Sequence, residues 1–585
     1  GWYSGDMHVH DLHEGRFGLT HEDFVMQLGA DDVGVANALI HMDGTKIMGR
    51  WTDLTGMPNP LSNEKTILRY SQEFRGYFGH VGLVGVNRFL MPLIGGVAST
   101  PFAPDTLATG HIDAARAEGA IAGFVHPYNQ GTATAADAGS RDIPVLAALG
   151  KGDFFDVVSV ASREFESAAI YYRLLNTGIR LAATGGTDNF SDVWYDPSGG
   201  TARTYARIPP GQAFNFDNWL AAVRAGRTFA TSGPLLFLSV AGKQPGDELR
   251  LRGNEQTELQ VQLRVGTIAP LDTVEILVNG EVAHAWTPRG SGPIWNLETS
   301  INLPEPGWIA ARAVGPSSRY VGDAYAFAQT SPVHVMRDGQ SFSSAADAAF
   351  LADAVDELWR LAEARDTWAT TTQKSAYKSG VQQARGYYRR IILAHPEDAL
   401  FSIRAPEKFR IRLETSKGQI VIELHRDWSP HGVDRFYNLV RFGYYDDSRV
   451  HRVRSDDFVQ FGIHGNPQIA QAWRDQRIPD EPTKASNLRG TFAFAMGHEP
   501  DDRTTQVYIN LRDKPELDDM GFMVMGRVVE GMRVADELFS GYGERAGGGI
   551  RGGQQDPVFE GGNAYLDEHF PELDRIIEAV IVHKN

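Results

Sequence analysis

From Gly1 to about Leu236 short apolar runs alternate with amphipathic helical patterns: Ile112–Ala120 precedes Ile121–His126, and Ala168–Thr177 precedes Ile179–Ala183. Alternating strand and helix periods predict a barrel-like or layered α/β domain over residues 1–234. The texture changes near Gly233-Pro234. Leu259, Val261, Leu263 and Val265 alternate with polar neighbours as in a half-buried strand, and Val274–Val278 runs into Asn279-Gly280, a hairpin signal. Residues 235–336 therefore read as a small β-sandwich. Between Ser343 and His395 the period lengthens, with Phe350, Leu351, Ala354, Val355, Leu358 and Leu361 on one helical face. Ala376, Tyr377, Val381, Ala384, Tyr388 and Ile391 form a second face, so residues 337–404 read as a helical hairpin linker. After Pro396 strands return: Phe409, Ile411 and Leu413 alternate, Ser416-Lys417-Gly418 turns, and Ile420, Ile422 and Leu424 alternate back. That hairpin opens a last domain, 405–585, and makes the fold class multidomain, α/β followed by β.

A chain of 585 residues has room for about three to five such domains. With 42% hydrophobic and 22% charged residues it is neither disordered, collagenous nor coiled-coil. The net charge of −17 and the lack of any Lys/Arg-rich run argue against a nucleic-acid partner. The most apolar stretch, Val81 to Ala98, is broken by Asn87, Arg88, Pro92 and two glycines, so no membrane span is expected. There is no cysteine, which removes disulfides, zinc–thiolate sites, iron–sulfur clusters and thiol nucleophiles, and any metal must sit on His, Asp and Glu. The start at Gly1, without Met, suggests a trimmed leader; with the missing cysteines it raises the expectation of a periplasmic or secreted location.

The opening GWYSGDMHVH carries His8 and His10, which a strand would turn to one face. Three more segments put a ligand-type side chain where an apolar strand meets a loop: Glu73 with His80 following, His126, and Asp188. Taken singly, Glu73 could be a solvated charge, His126 a core histidine and Asp188 a turn cap. Asp11-Leu12-His13-Glu14 reads more simply as a solvated loop than as an extension of a metal site. No G-x-S-x-G elbow is present, so metal-activated water is the simplest hydrolytic chemistry open to this chain.

The segments GWYSGDMHVH, QEFRGYFGHVGLVGV, AIAGFVHP and LAATGGTDNF together resemble the PHP (polymerase and histidinol phosphatase) metallohydrolase superfamily, in its carbaryl-hydrolase-like CehA/McbA branch. GRTFATSGPLL and TSPVHV extend that resemblance through the sandwich. It implies a PHP-like distorted (β/α) barrel in which His8, His10, Glu73, His80, His126 and Asp188 bind one or two divalent ions (Zn, Mn or Fe), with Glu73 as the bridge. It also implies a small-molecule substrate, cleaved at an ester, amide, carbamate or phosphoester bond. The sequence departs from the pattern at Asp188-Asn189-Phe190, where the usual last histidine is missing, and after the second strand, where His41 is the available substitute.

From Phe409 to Lys584, IRLETSKGQIVIELH, FVQFGIHGNP, GTFAFAM, TTQVYIN and GFMVMGRVVEGMRVADEL resemble the cyclophilin-type peptidyl-prolyl isomerases (rotamases) of bacterial type. The resemblance implies a closed antiparallel β-barrel and a proline-containing peptide as partner. Arg452 would act on the imide, Gln460 and Gln506 would form the polar wall, and Phe458, Tyr508 and Leu517 would line the proline pocket. Asp457 stands where the family has an aromatic, His498 and Glu516 replace usual pocket residues, and the pocket histidine is lost around Gly521-Phe522. A carboxylate at Asp457 is expected to pair with Arg452 or to sit poorly against proline, so the expected activity is weak isomerisation or proline-peptide binding. The leading reading is thus a metal-dependent hydrolase carrying an isomerase-like domain. The alternative is an isomerase or binding protein whose front domain is a non-catalytic scaffold. Tyr387-Tyr388-Arg389-Arg390 is read as helix packing, and Gly547 to Gly553 as a loop without the Lys-Ser/Thr of a phosphate cradle.

Overall fold

The computed structural model describes residues 1–11, 19–43, 45–95, 105–127, 141–193, 196–255, 257–288, 293–497, 499–547 and 555–582. The chain divides into two compact units, Gly1–Tyr388 and Arg389–Asn585. The boundary between them falls inside the helix Thr371–Leu393, within the stretch expected as a helical hairpin. The reason is packing. The preceding helix, Ala345–Arg365, buries Leu351, Ala354, Val355 and Leu358, and its Asp347 binds Arg173 and Asn176 of the first unit. Tyr387 and Tyr388 donate to the carbonyls of Thr177 and Pro144, as helix packing requires.

In the first unit strand Trp2–His10 lies parallel to Val35–Asp43, which lies parallel to Ile67–Gly76. The antiparallel strand His80–Val84 comes next, followed by Ile121–Phe124, Phe154–Val158 and Ala182–Gly185 in parallel. The last of these leads back to the first: Asp188 N–H donates to His8 O at 2.7 Å, and Val9 pairs with Asn189. Parallel strands buried on both faces explain the near-continuous apolar runs, and Trp219, fully buried, fills the end of this core.

The sandwich opposes an antiparallel sheet, Leu235–Val240, Glu258–Gly266 and Ile294–Asn302, to strands Thr273–Val278, Gly307–Gly315, Ala326–Thr330 and Val333–Arg337. Leu259, Val261, Leu263 and Val265 all point into its core. Asn279 and Gly280 both have positive φ, 51° and 92°, as the two-residue turn demands. Phe229 pairs with Thr330, so hydrogen bonding continues across residue 234 from the α/β strands to the sandwich strands.

The second unit is a nine-stranded antiparallel sheet with helices Pro430–Arg441, Pro467–Arg474 and Asp556–His569. Closure of the barrel was the expectation, but among the described residues its edge strands Ser448–Arg449 and Arg452–Arg454 are not hydrogen-bonded to each other. They are consecutive in sequence, and Val450 N–H instead donates to Asp574 O. No helix among the described residues is long and apolar enough to cross a membrane.

Candidate functional site

Ligand-type side chains converge at one end of the first unit's sheet. His8 and His10 alternate along the last turns of strand Trp2–His10, so both imidazoles face the same way. His41 and Glu73 stand near the ends of the next two parallel strands, and His80 is the first residue of the antiparallel one. His126 and Asp188 follow strands Ile121–Phe124 and Ala182–Gly185 with φ of 30° and 54°, a sparsely populated region that the surrounding packing must hold.

The structure brings all six sequence-selected residues together, with His41 as a seventh. His8 Nε2 lies 2.9 Å from His10 Nε2, and both lie 3.2 Å from Asp188 Oδ1. Glu73 Oε1 is 2.8 Å from His80 Nδ1 and 3.3 Å from His126 Nε2. Its Oε2 lies 3.7 Å, 4.0 Å and 3.9 Å from ring nitrogens of His8, His10 and His41. That oxygen is buried and makes no hydrogen bond. Three overlapping ligand triads result, His8/His10/Asp188, His8/Glu73/His126 and His10/His41/Glu73.

The hydrogen bonding tests whether a cation fits. His10 Nδ1 is 2.8 Å from the carbonyl of Leu39, which can only accept, so Nδ1 carries the proton and Nε2 presents a lone pair. That lone pair faces the carboxylate oxygen of Asp188 and the ring nitrogen of His8. Lone pairs gathered this closely in a buried site repel unless a proton or a metal ion lies between them. Hard nitrogen and oxygen donors in this number suit Zn, Mn or Fe.

Burial and charge shift these groups in different directions. Burial pushes His8, His80 and His41 down, His41 to about 2. Burial alone would raise Glu73, but Arg75, with Nε 3.6 Å away, and then His80 and His8 hold it well below the usual carboxylate range. His126 moves up, since Asp188 and Glu73 outweigh its burial.

Two further carboxyls escape notice in the sequence because their partners are distant in it. Asp6, fully buried, accepts from the backbone N–H of His8 at 2.9 Å, Thr187 at 3.0 Å and Gly200 at 2.7 Å, and from the Thr187 hydroxyl at 2.5 Å. It ties the Asp188 loop to the His8 strand. Asp156 accepts from Thr184 Oγ1 at 2.7 Å, and burial pushes it up to about 8. Asp11 is turned to Tyr70 and Arg50, while His13 and Glu14 lie outside the described residues.

The second unit holds a cleft of about 760 Å³. Phe458, Tyr508, Leu517 and Phe522 form its apolar seat, and buried Ala493 belongs to the same cluster. Tyr508, on strand Val507–Asn510, is anchored by its hydroxyl to Asn487 Oδ1 at 2.8 Å. Arg452 and Gln460 face each other across a hairpin, and a polar rail follows: Arg452 Nη1 donates to Gln460 Oε1 at 3.0 Å, Gln460 to Gln506 at 2.8 Å, and Gln506 to Gln555 at 3.0 Å. Gln555, which the sequence did not single out, completes the rail from just before helix Asp556–His569. The guanidinium also pairs with Glu544.

Asp457 does not behave as expected. It leaves Arg452 alone and pairs with Lys514 Nζ at 3.0 Å, Arg512 Nε at 3.1 Å and Arg454 Nε at 3.5 Å. Phe458, one residue on, turns its ring into the seat with the Arg452 guanidinium 4.7 Å above it. Phe522 packs edge-on to Tyr508 at 6.0 Å, where the usual histidine is missing. Glu516 points outward to Arg512, and His498 lies outside the described residues.

The second unit is thus an antiparallel β unit whose cleft sets an apolar seat beside an arginine. The family pattern that matches residues 410–548 is that of the cyclophilin type peptidyl-prolyl cis-trans isomerase/CLD. Peptidyl-prolyl cis-trans isomerase A of Dickeya dadantii is 34% identical over 132 residues, 22% of this chain and 70% of its own. Peptidyl-prolyl cis-trans isomerase cyp18 of Streptomyces antibioticus is also 34% identical, over 22% of this chain and 81% of its own. A solved cyclophilin type isomerase from Cryptosporidium parvum covers 30% of this chain and 99% of its own, at 16% identity and a TM-score of 0.23. The chain belongs, through its second unit, to the cyclophilin-type peptidyl-prolyl cis-trans isomerase family.

Proposed function

We propose that the chain is two-headed: a proline-peptide isomerase in the second unit, and a metal-dependent hydrolase of PHP type in the first. The isomerase reading is carried by Arg452 standing over an apolar seat. A proline ring lodged against Phe458, Tyr508, Leu517 and Phe522 would place its imide within reach of the guanidinium. Hydrogen bonding there favours a pyramidal nitrogen and weakens the partial double bond behind the barrier of about 20 kcal/mol. Gln460 holds Arg452 in position, and no covalent step is needed.

The hydrolase reading is carried by the convergence of His8, His10, His41, Glu73, His80, His126 and Asp188. These residues would hold one or two divalent ions, with Glu73 able to offer one oxygen to each. A bound divalent ion supplies Lewis-acid activation of water toward an ester, amide, carbamate or phosphoester. The chain's own part is to orient. The Leu39 carbonyl fixes the tautomer of His10, Asp6 pins the Asp188 loop, and Arg75 balances the charge of Glu73. The resemblance of the sequence to the carbaryl-hydrolase-like branch supports the same reading.

Metal content per chain, measured by elemental mass spectrometry on protein purified without added metal or chelator, tests it. One or two transition ions are expected, absent from His8→Ala/His10→Ala. A metal-free wild type that takes up neither Zn²⁺ nor Mn²⁺ would leave the isomerase as the sole activity, with the first unit a scaffold.

A further inference from the structure

We propose that the cleft of the second unit selects peptides carrying an anionic side chain, carboxylate or phosphoryl, next to the proline. This rests on the isomerase reading of that cleft and adds its substrate class.

The observation is an imbalance of charge around Asp457. One carboxylate is shared by Lys514, Arg512 and Arg454, and of these Arg512 also reaches Glu516 Oε1 at 3.5 Å. The two of these three that line the cleft, Lys514 and Arg454, are therefore left sharing less than one full negative charge. Lys514 is buried, and its Nζ lies 4.8 Å from the Phe458 ring, at the wall of the proline seat. An ammonium desolvated against a ring is under-compensated by a carboxylate it must share, so it favours an incoming anion.

The rest of the lining carries both signs. Arg474 is paired with Asp556, but Arg477 lines the cleft with no ion pair among the described residues. Asp475 and Asp502 also line it, and Glu544 is taken up by Arg452. With Asp457 and Asp556 included, the five cations Arg452, Arg454, Arg474, Arg477 and Lys514 meet five carboxylates, so the excess of positive charge is confined to the Asp457 cluster beside the proline seat. Low-dielectric walls focus such a field on whatever occupies the seat. The apolar seat limits that occupant to a proline-like ring, so the anion must be carried on a neighbouring residue.

The test is kcat/KM for short X-Pro peptides in which the residue before or after proline is Glu, phosphoserine, Ala or Lys, with the full chain at low and at physiological salt. Glu or phosphoserine is expected to exceed Lys by about two- to fivefold, the range of a partly exposed ion pair. Added salt should shrink the ratio. Comparing Glu with phosphoserine identifies the source of the anion. In Arg454→Gln and Lys514→Gln, checked for folding by circular dichroism, the ratio should fall toward one. Equal rates for Glu and Lys peptides, or a preference for Lys, would overturn the inference while leaving the isomerase reading intact. Failure to turn over or bind any of the four peptides would overturn both.

Discussion

Arg452 is held from two sides, by Gln460 at 3.0 Å and by an ion pair with Glu544, whose side chain is 43% exposed. The two contacts have different consequences. Gln460 is buried and fixes the guanidinium over Phe458, whereas Glu544 competes for the N–H groups that a proline imide would use. Arg452→Ala should therefore lower kcat/KM for an Ala-Pro peptide by about tenfold or more, the cost of a charge-assisted hydrogen bond made in the transition state. Glu544→Gln should raise it by about two- to fivefold, since only a partly exposed pair is removed. Both follow from an isomerisation assay by exchange spectroscopy or protease coupling. An unchanged rate in Arg452→Ala would remove the guanidinium from the mechanism, and a slower Glu544→Gln would make the pair a support rather than a competitor.

At the scale of elements, the helix Glu164–Leu175 meets the sandwich through a buried carboxyl. Glu164 accepts from the Tyr325 hydroxyl at 2.6 Å, and burial, reinforced by nearby Asp323, pushes it up to about 8 from 4.5. In the unfolded chain it would ionise at the lower value, so between these limits folding takes up a proton. Stability falls as pH rises through that window and the loss is complete above about pH 8. Glu164→Gln keeps an acceptor for Tyr325 and removes the titration. Its melting temperature should match the wild type near pH 5 and exceed it by a few degrees at pH 8, read by calorimetry. A constant difference across that range would mean that Glu164 does not carry the titration. What the sequence disclosed about such elements depended on the range of the contacts. Alternation of Leu259 to Val265, the Asn279-Gly280 turn and the spacing of His8 and His10 are local signals, and they located a strand, a hairpin and half a metal-type cluster. Asp6, His41 and Gln555 act on residues far along the chain, so only His41 was suspected, and that through a resemblance. Asp457 was misjudged for the same reason: its three cations come from both sides of it in sequence, the farthest 57 positions away.

For the whole molecule, each unit has its own core and its own site, and the two sites need different things. The cluster around Glu73 gathers histidine and carboxylate lone pairs, while the Arg452 cleft presents guanidinium and amide donors beside apolar walls. Metal should therefore matter to one activity and not to the other. In the full chain, His8→Ala/His10→Ala is expected to lose its ions and keep X–Pro turnover within about twofold of wild type. Arg452→Ala is expected to do the reverse, keeping its metal content while turnover falls. The pair of variants, each scored for metal by mass spectrometry and for isomerisation on the same preparation, separates independence from coupling. Turnover that falls in step with metal content would mean that the first unit controls the second. Independence would instead mean that the metal-type cluster must be explained by a reaction of its own.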